Sequence, residues 1–195
     1  MSLAEALTKM KNGDCLAFSG TGILSDAIRW LTRSNVSHVG AVLMIEGVLH
    51  VAESTTLNSK GFQGVDIVPL ADRLVDYGTG PLWWLPLTAN ARKALKEDAW
   101  AEYMRAAKAK QYGRFQALLA GLGIPQPGLS KRVFCSEYLA FGYMAGGMYA
   151  LTGWRENPST LTPEELIRLT TDDGTPLFDF AFSIGKTFTR IKVLK

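Results

Sequence analysis

The apolar positions of the chain fall into runs of two kinds, and the period each run keeps predicts its element. Leu3, Ala6, Leu7 and Met10 recur at helical spacing and stop at "NGD", residues 12–14, so a short amphipathic helix is expected over 3–10. "CLAFSG" reads as a first strand. In "ILSDAIRWLTRS", Leu24, Ala27, Ile28 and Leu31 share one helical face, and Asn35 marks the exit toward a hairpin, "SHVGAVLMIEGVLHVAES". Beyond it come a Gly-rich loop, a strand at "VDIVPL", a helix near 71–77 and a strand at "LWWLPL". A long helix rich in Ala, Lys and Glu is expected from about Ala91 to Gln111. "GLGIPQPGLSKR", residues 121–132, reads as a loop or lid that leads into an apolar, helix-like run, "VFCSEYLAFGYMAGG". A last helix starts at Thr162-Pro163-Glu164-Glu165, with Thr162 as cap, Pro163 in the first turn and Glu165 closing a capping box. The tail "KTFTRIKVLK" alternates like an edge or final strand. No repeat, low-complexity tract or break in composition interrupts this order, so one α+β domain over residues 1–195 is expected.

The hairpin carries the first candidate chemistry. If it turns over Glu46-Gly47, Ile45 faces Val48 and Gly40 lies opposite Glu53. Side chains alternate across a strand, so His38, Gly40 and Val42 then share a face with Glu53 and Thr55. His38 is diagonal to Glu53, a spacing long side chains can bridge, and Gly40 is expected to leave open space beside the carboxylate. His50 pairs with Leu43 and points to the other face. His38 and Glu53 are thus a candidate base and orienter, the carboxylate fixing the imidazole tautomer and stabilising its charged form. The alternative is the solvated face of a half-exposed hairpin.

Cys135 is the candidate nucleophile. Ser136 and Glu137 behind it suit a first helical turn, where unpaired N–H groups and the helix dipole favour a thiolate. The alternative is inert packing, since a free cysteine usually behaves as a small buried hydrophobe. Cys15 is expected to pack in the first strand. The two cysteines form neither a CxxC nor a disulfide framework, which suits a reducing compartment.

Composition narrows the classes. Of 195 residues, 47% are hydrophobic and 20% charged, which excludes disordered and fibrous chains. The net charge of +3, from 21 basic and 18 acidic residues, is too small to point to nucleic acid, and "KALKEDAWAEYMRAAKAK" mixes both signs as a solvated helix does. With no basic start before an apolar segment and no stretch of ~18 uninterrupted apolar residues, neither a signal peptide nor a membrane span is expected. A cytoplasmic protein, or one exported without a recognisable signal peptide, follows. Two histidines on opposite hairpin faces build no zinc site, so no metal and no cofactor are expected.

"NGDCLAF", "SHVGAVL" with its histidine, "GVLHVAES" with its acid, "FCSEYLA" with its cysteine and "LTPEEL" after it form an ordered set over residues 12–169. This set resembles the circularly permuted papain-like hydrolases of the NlpC superfamily, whose relatives include lecithin retinol acyltransferase-like proteins. The order His, Glu, Cys is the reverse of the usual papain-like order, as permutation implies. The resemblance implies a permuted papain-like, NlpC-type fold: an antiparallel sheet packed against helices, one of which bears the nucleophile. It makes Cys135 the nucleophile, His38 the general base and Glu53 the third, polar member. Tyr112 in "KQYG" resembles a tyrosine that helps stabilise the oxyanion, its alternative being an aromatic anchor that closes the long helix. Cys15 departs from the pattern, where an aliphatic residue is usual.

The implied activity is cleavage of an amide or peptide bond through a Cys-His-Glu triad and a thioester. The substrate would be a small-molecule, peptide or lipid-linked amide, such as a cell-wall peptide or an N-acyl amide. Acyl transfer or thioester hydrolysis by the same residues is the second reading. A noncatalytic binding or structural module that retains the fold is the third.

Overall fold

The computed structural model describes residues 2–20, 23–56, 63–78, 80–108, 111–112, 132–148, 151–152, 158–171, 174–179 and 182–184. The expected loop at residues 121–131 and the tail "KTFTRIKVLK" lie outside the described residues, as does the side chain of Tyr112.

Helix α1 (Leu3–Lys9) is capped by Ser2, whose hydroxyl accepts from the Glu5 N–H at 3.2 Å. Then come β1 (Cys15–Phe18), α2 (Ile23–Thr32), the hairpin strands β2 (His38–Ile45) and β3 (Val48–Thr55), β4 (Gly64–Pro69), α3 (Leu70–Tyr77) and β5 (Leu82–Leu85). Helices α4 (Ala89–Ala94) and α5 (Glu97–Ala106) precede β6 (Gln111–Tyr112), β7 (Arg132–Val133) and α6 (Cys135–Ala145). The described chain continues with β8 (Leu151–Thr152), α7 (Pro163–Ile167), β9 (Thr170–Thr171) and β10 (Phe182–Ile184). Eight strands form one sheet in the order β10-β5-β1-β2-β3-β4-β6-β7, antiparallel except for the β6–β7 pair. The fold is therefore mixed α+β, with a largely antiparallel sheet against helices.

Strand alternation builds two cores from one sheet. Cys15, Ala17, Val39, Ala41, Leu43, Ala52, Trp83 and Leu85 face one side, against Trp100 and Met104 of α5 and Tyr138 and Leu139 of α6. Leu16, Phe18, Val42, Val51, Leu82 and Trp84 face the other, against Ala6 and Met10 at α1 and Leu70 of α3. Both faces are covered, so the sheet is not the half-exposed one that the solvated alternative for His38 and Glu53 requires. Asp14 ties this arrangement together just ahead of β1. Its carboxylate accepts from the Lys11 N–H and Trp84 Nε1, both at 2.9 Å, from the Leu87 N–H at 3.1 Å, and from Arg92.

Two expected elements differ. The helix expected over 91–111 is broken: the Leu95 amide closes α4 on the Ala91 carbonyl, while the Lys96 amide turns away to the Gly146 carbonyl at 2.8 Å. That tertiary bond and the burial of Leu95 override a composition that suits helix throughout. Arg132, expected in a loop, instead belongs to β7, which joins the sheet directly before the cysteine helix.

Candidate active site

The hairpin turn sets the site. Ile45 pairs with Val48 and Leu43 with His50, as expected from a turn over Glu46-Gly47. Both turn residues have positive φ, 49° and 79°, as a two-residue turn matched to strand twist demands. That register fixes which face every hairpin side chain occupies. Continued toward the strand ends, it places Gly40 opposite Glu53 and puts His38 and Glu53 on the α3 side of the sheet. The expected open space beside Gly40 is absent. A Cβ there would stand 2.6 Å from Val51 Cγ2 and 3.3 Å from Glu53 Cβ, so the glycine is required by close packing.

His38 Nε2 and Glu53 Oε2 are 2.5 Å apart, both groups buried. The other Glu53 oxygen accepts from Arg73 Nε, in α3. Arg73 is 2% exposed, and its guanidinium lies 5.0 Å from the Phe18 ring centre and 5.7 Å from that of Tyr77. Burial pushes the Glu53 carboxyl up, but the hydrogen bond and charge of His38, followed by those of Arg73, outweigh it and hold the group below its ordinary value. Burial likewise pushes His38 down. The charge of Cys135 and a hydrogen bond with it, together with Glu53, win and raise the imidazole to about 9.

Cys135 is the first residue of α6 and packs in the core on the α6 side, meeting His38 where β2 begins. With Nε2 engaged by Glu53, Nδ1 is the ring nitrogen left to face the thiol. The approach to Cys135 is fixed from β3: Ser54, on the opposite face from Glu53, donates to the Val133 carbonyl at 2.7 Å. Ser136 donates to the Leu161 carbonyl at 2.6 Å, holding the first turn from the far side. The N-cap, Phe134, has no side-chain acceptor to offer the first-turn N–H groups, while its own N–H donates to Glu137 at 3.4 Å. A helix start without a side-chain cap suits an anion.

The structure thus brings Cys135, His38 and Glu53 together. For Tyr112 only the backbone is described, in parallel register with Val133. Cys15 is a buried strand residue, its thiol pushed far up by burial and by the charges of Cys135 and Asp14, and both cysteines are free. His50 turns back to the Val48 carbonyl at 3.0 Å, away from the site. Arg73 and Ser54 were not among the expected residues. Arg73 did carry a signal: with Leu70, Leu74 and Tyr77 it stands at i, i+3, i+4 and i+7, a charge inside an apolar stripe. A cleft of about 360 Å³, its open mouth included, is lined by His38, Arg73, Phe18, Ser37, Thr55 and Tyr77 among others, and Cys135 is not part of that lining. Among the described residues, no group of three or more His, Cys, Asp or Glu is placed to hold a metal ion, and no helix is long and apolar enough to cross a membrane.

No protein-family model matches the chain, and no curated protein matches it. Among solved structures, the chain is similar to metalloprotein yiiX from Escherichia coli O157:H7, at 16% identity and a TM-score of 0.58, over 92% of this chain and 98% of that one. At that identity the likeness is one of fold.

Proposed function

We propose that the protein is a cysteine hydrolase of the permuted papain-like, NlpC type, which cleaves an amide or peptide bond through Cys135, His38 and Glu53. The observation that carries this reading is the chain of contacts from Cys135 at the start of α6 to His38 and on to Glu53, in the reversed order His, Glu, Cys. Cys135 Sγ attacks the acyl carbon, and the carbonyl electrons move to oxygen, which is received by backbone N–H groups at the start of α6. Collapse of this adduct breaks the C–N bond, and the amine leaves with the proton from His38. Water then adds to the thioester as His38 takes its proton, and the carboxylic acid departs from a regenerated thiolate. The chemistry accepts a small-molecule, peptide or lipid-linked amide.

The test is the pH dependence of Cys135 alkylation, read by mass spectrometry in a Cys15→Ser background beside His38→Ala and Glu53→Ala. The expected rate stays high well below the free-thiol pKa of ~8.5 and falls by at least about 100-fold without His38. Slow alkylation that follows an ordinary thiol, indifferent to His38, overturns the proposal. One observation favours a noncatalytic binding module instead: Cys135 is only 1% exposed. That overturning result would select it.

A further inference from the structure

We propose that Arg73 is a positioning residue that keeps Glu53 ionised throughout the reaction cycle, a role that rests on the hydrolase reading above. Glu53, His38 and Arg73 are all buried, and an unpaired charge in such a place is costly. With Cys135 as thiolate, the row Arg73, Glu53, His38, Cys135 alternates plus, minus, plus, minus. His38 neutralises Glu53 only while it holds its proton, and in the cycle it gives that proton to the leaving amine. A guanidinium is a permanent charge in proteins, so the contact of Arg73 with Glu53 outlasts the transfer. A carboxylate that stays charged keeps the imidazole in one tautomer and ready to take the proton of the attacking water.

The surroundings make this more than a generic ion pair. Glu53 is met by His38 from β2, by Arg73 from α3 and, through His38, by Cys135 from α6. Across the β3–β4 pair its register partner is Asp66. Phe18 and Tyr77 flank the guanidinium, and the Tyr77 phenol is itself raised to about 12, chiefly by burial, so it stays neutral. Arg73 Nη2 is buried without a partner among the described residues. An arginine held there with an unmet donor is explained by the charge it supplies to Glu53, not by saturated hydrogen bonding.

Removing this charge leaves one minus too many when Cys135 is a thiolate, so a proton is drawn onto Cys135 or Glu53. In Arg73→Met, the acid limb of the Cys135 alkylation profile is expected to move up by about one pH unit or more, with Arg73→Lys restoring part of the shift. The effect should run through Glu53: in a Glu53→Gln background, Arg73→Met adds less than about a third of its own shift. An unchanged acid limb in a folded Arg73→Met protein overturns the proposal, as does a full shift that persists without the Glu53 carboxylate. If Arg73→Met does not fold, Arg73→Lys carries the same comparison, and an acid limb identical to that of the unaltered protein overturns it. An ordinary thiol profile in the unaltered protein is a different outcome, since it removes the hydrolase reading and this inference with it.

Discussion

His38 has two neighbours that want it protonated and one condition, burial, that does not. The neighbours win, and the imidazole loses its proton only near pH 9. Below that value His38 is an imidazolium, able to give a proton to a leaving amine. Above it that acid is gone. Turnover of an amide is therefore expected to fall as pH rises through about 9, while alkylation of Cys135, which needs no acid, stays on its plateau. Parallel measurement of both rates from pH 6 to 10.5 checks this, and a joint fall would mean that the thiolate itself is lost. At this scale the sequence exposed Cys135, His38 and Glu53, because hairpin parity and a helix start can be read from residue types. Arg73 escaped because the charge within its apolar stripe has meaning only once Glu53 is known to lie beside it.

At the scale of elements, the hairpin does the aligning, and Gly40 is where it is most tightly constrained. A methyl group there would press on Val51 Cγ2 at 2.6 Å, a fully buried β-branched side chain with little freedom to move, and on Glu53 Cβ. Gly40→Ala is expected to cost about 1–3 kcal/mol in urea denaturation and to slow Cys135 alkylation by displacing Glu53. An unchanged midpoint would show that β2 and β3 slide apart without penalty. The register itself was legible: a turn over Glu46-Gly47 leaves no freedom about which residues face each other, and Leu43 does pair with His50. The cap of α7 was equally legible, with Thr162 and Glu165 exchanging hydrogen bonds of 3.2 and 2.7 Å. What failed was decided by distant partners. Nothing local in "KALKED" marks the break that the Gly146 carbonyl imposes at Lys96, and two-residue strands such as β6 and β7 are too short to show a period.

For the whole molecule, the candidate site belongs to no single element: its residues come from β2, β3, α3 and α6, and they meet only where the sheet separates two cores. Its chemistry should therefore live and die with the fold. Cys15 supplies an internal control, since it sits at 0% exposure in β1, flanked by β5 and β2, and becomes reactive only when the sheet opens. Cys135 is held by the Ser54 and Ser136 hydrogen bonds at the start of α6 and, further along, by Tyr138 to the Met104 carbonyl at 2.7 Å and Tyr143 to the Gly13 carbonyl at 2.8 Å. Those ties reach across both β3 and the β1 approach, so α6 is not free to leave first. In a urea series read by pulsed alkylation at pH 6.5, the enhanced reactivity of Cys135 is expected to vanish at the same midpoint at which Cys15 becomes labelled and far-UV ellipticity is lost. Loss of the Cys135 enhancement at distinctly lower urea would instead make the start of α6 a separate, weaker unit, and activation of the thiol a property of local order, not of the fold as a whole.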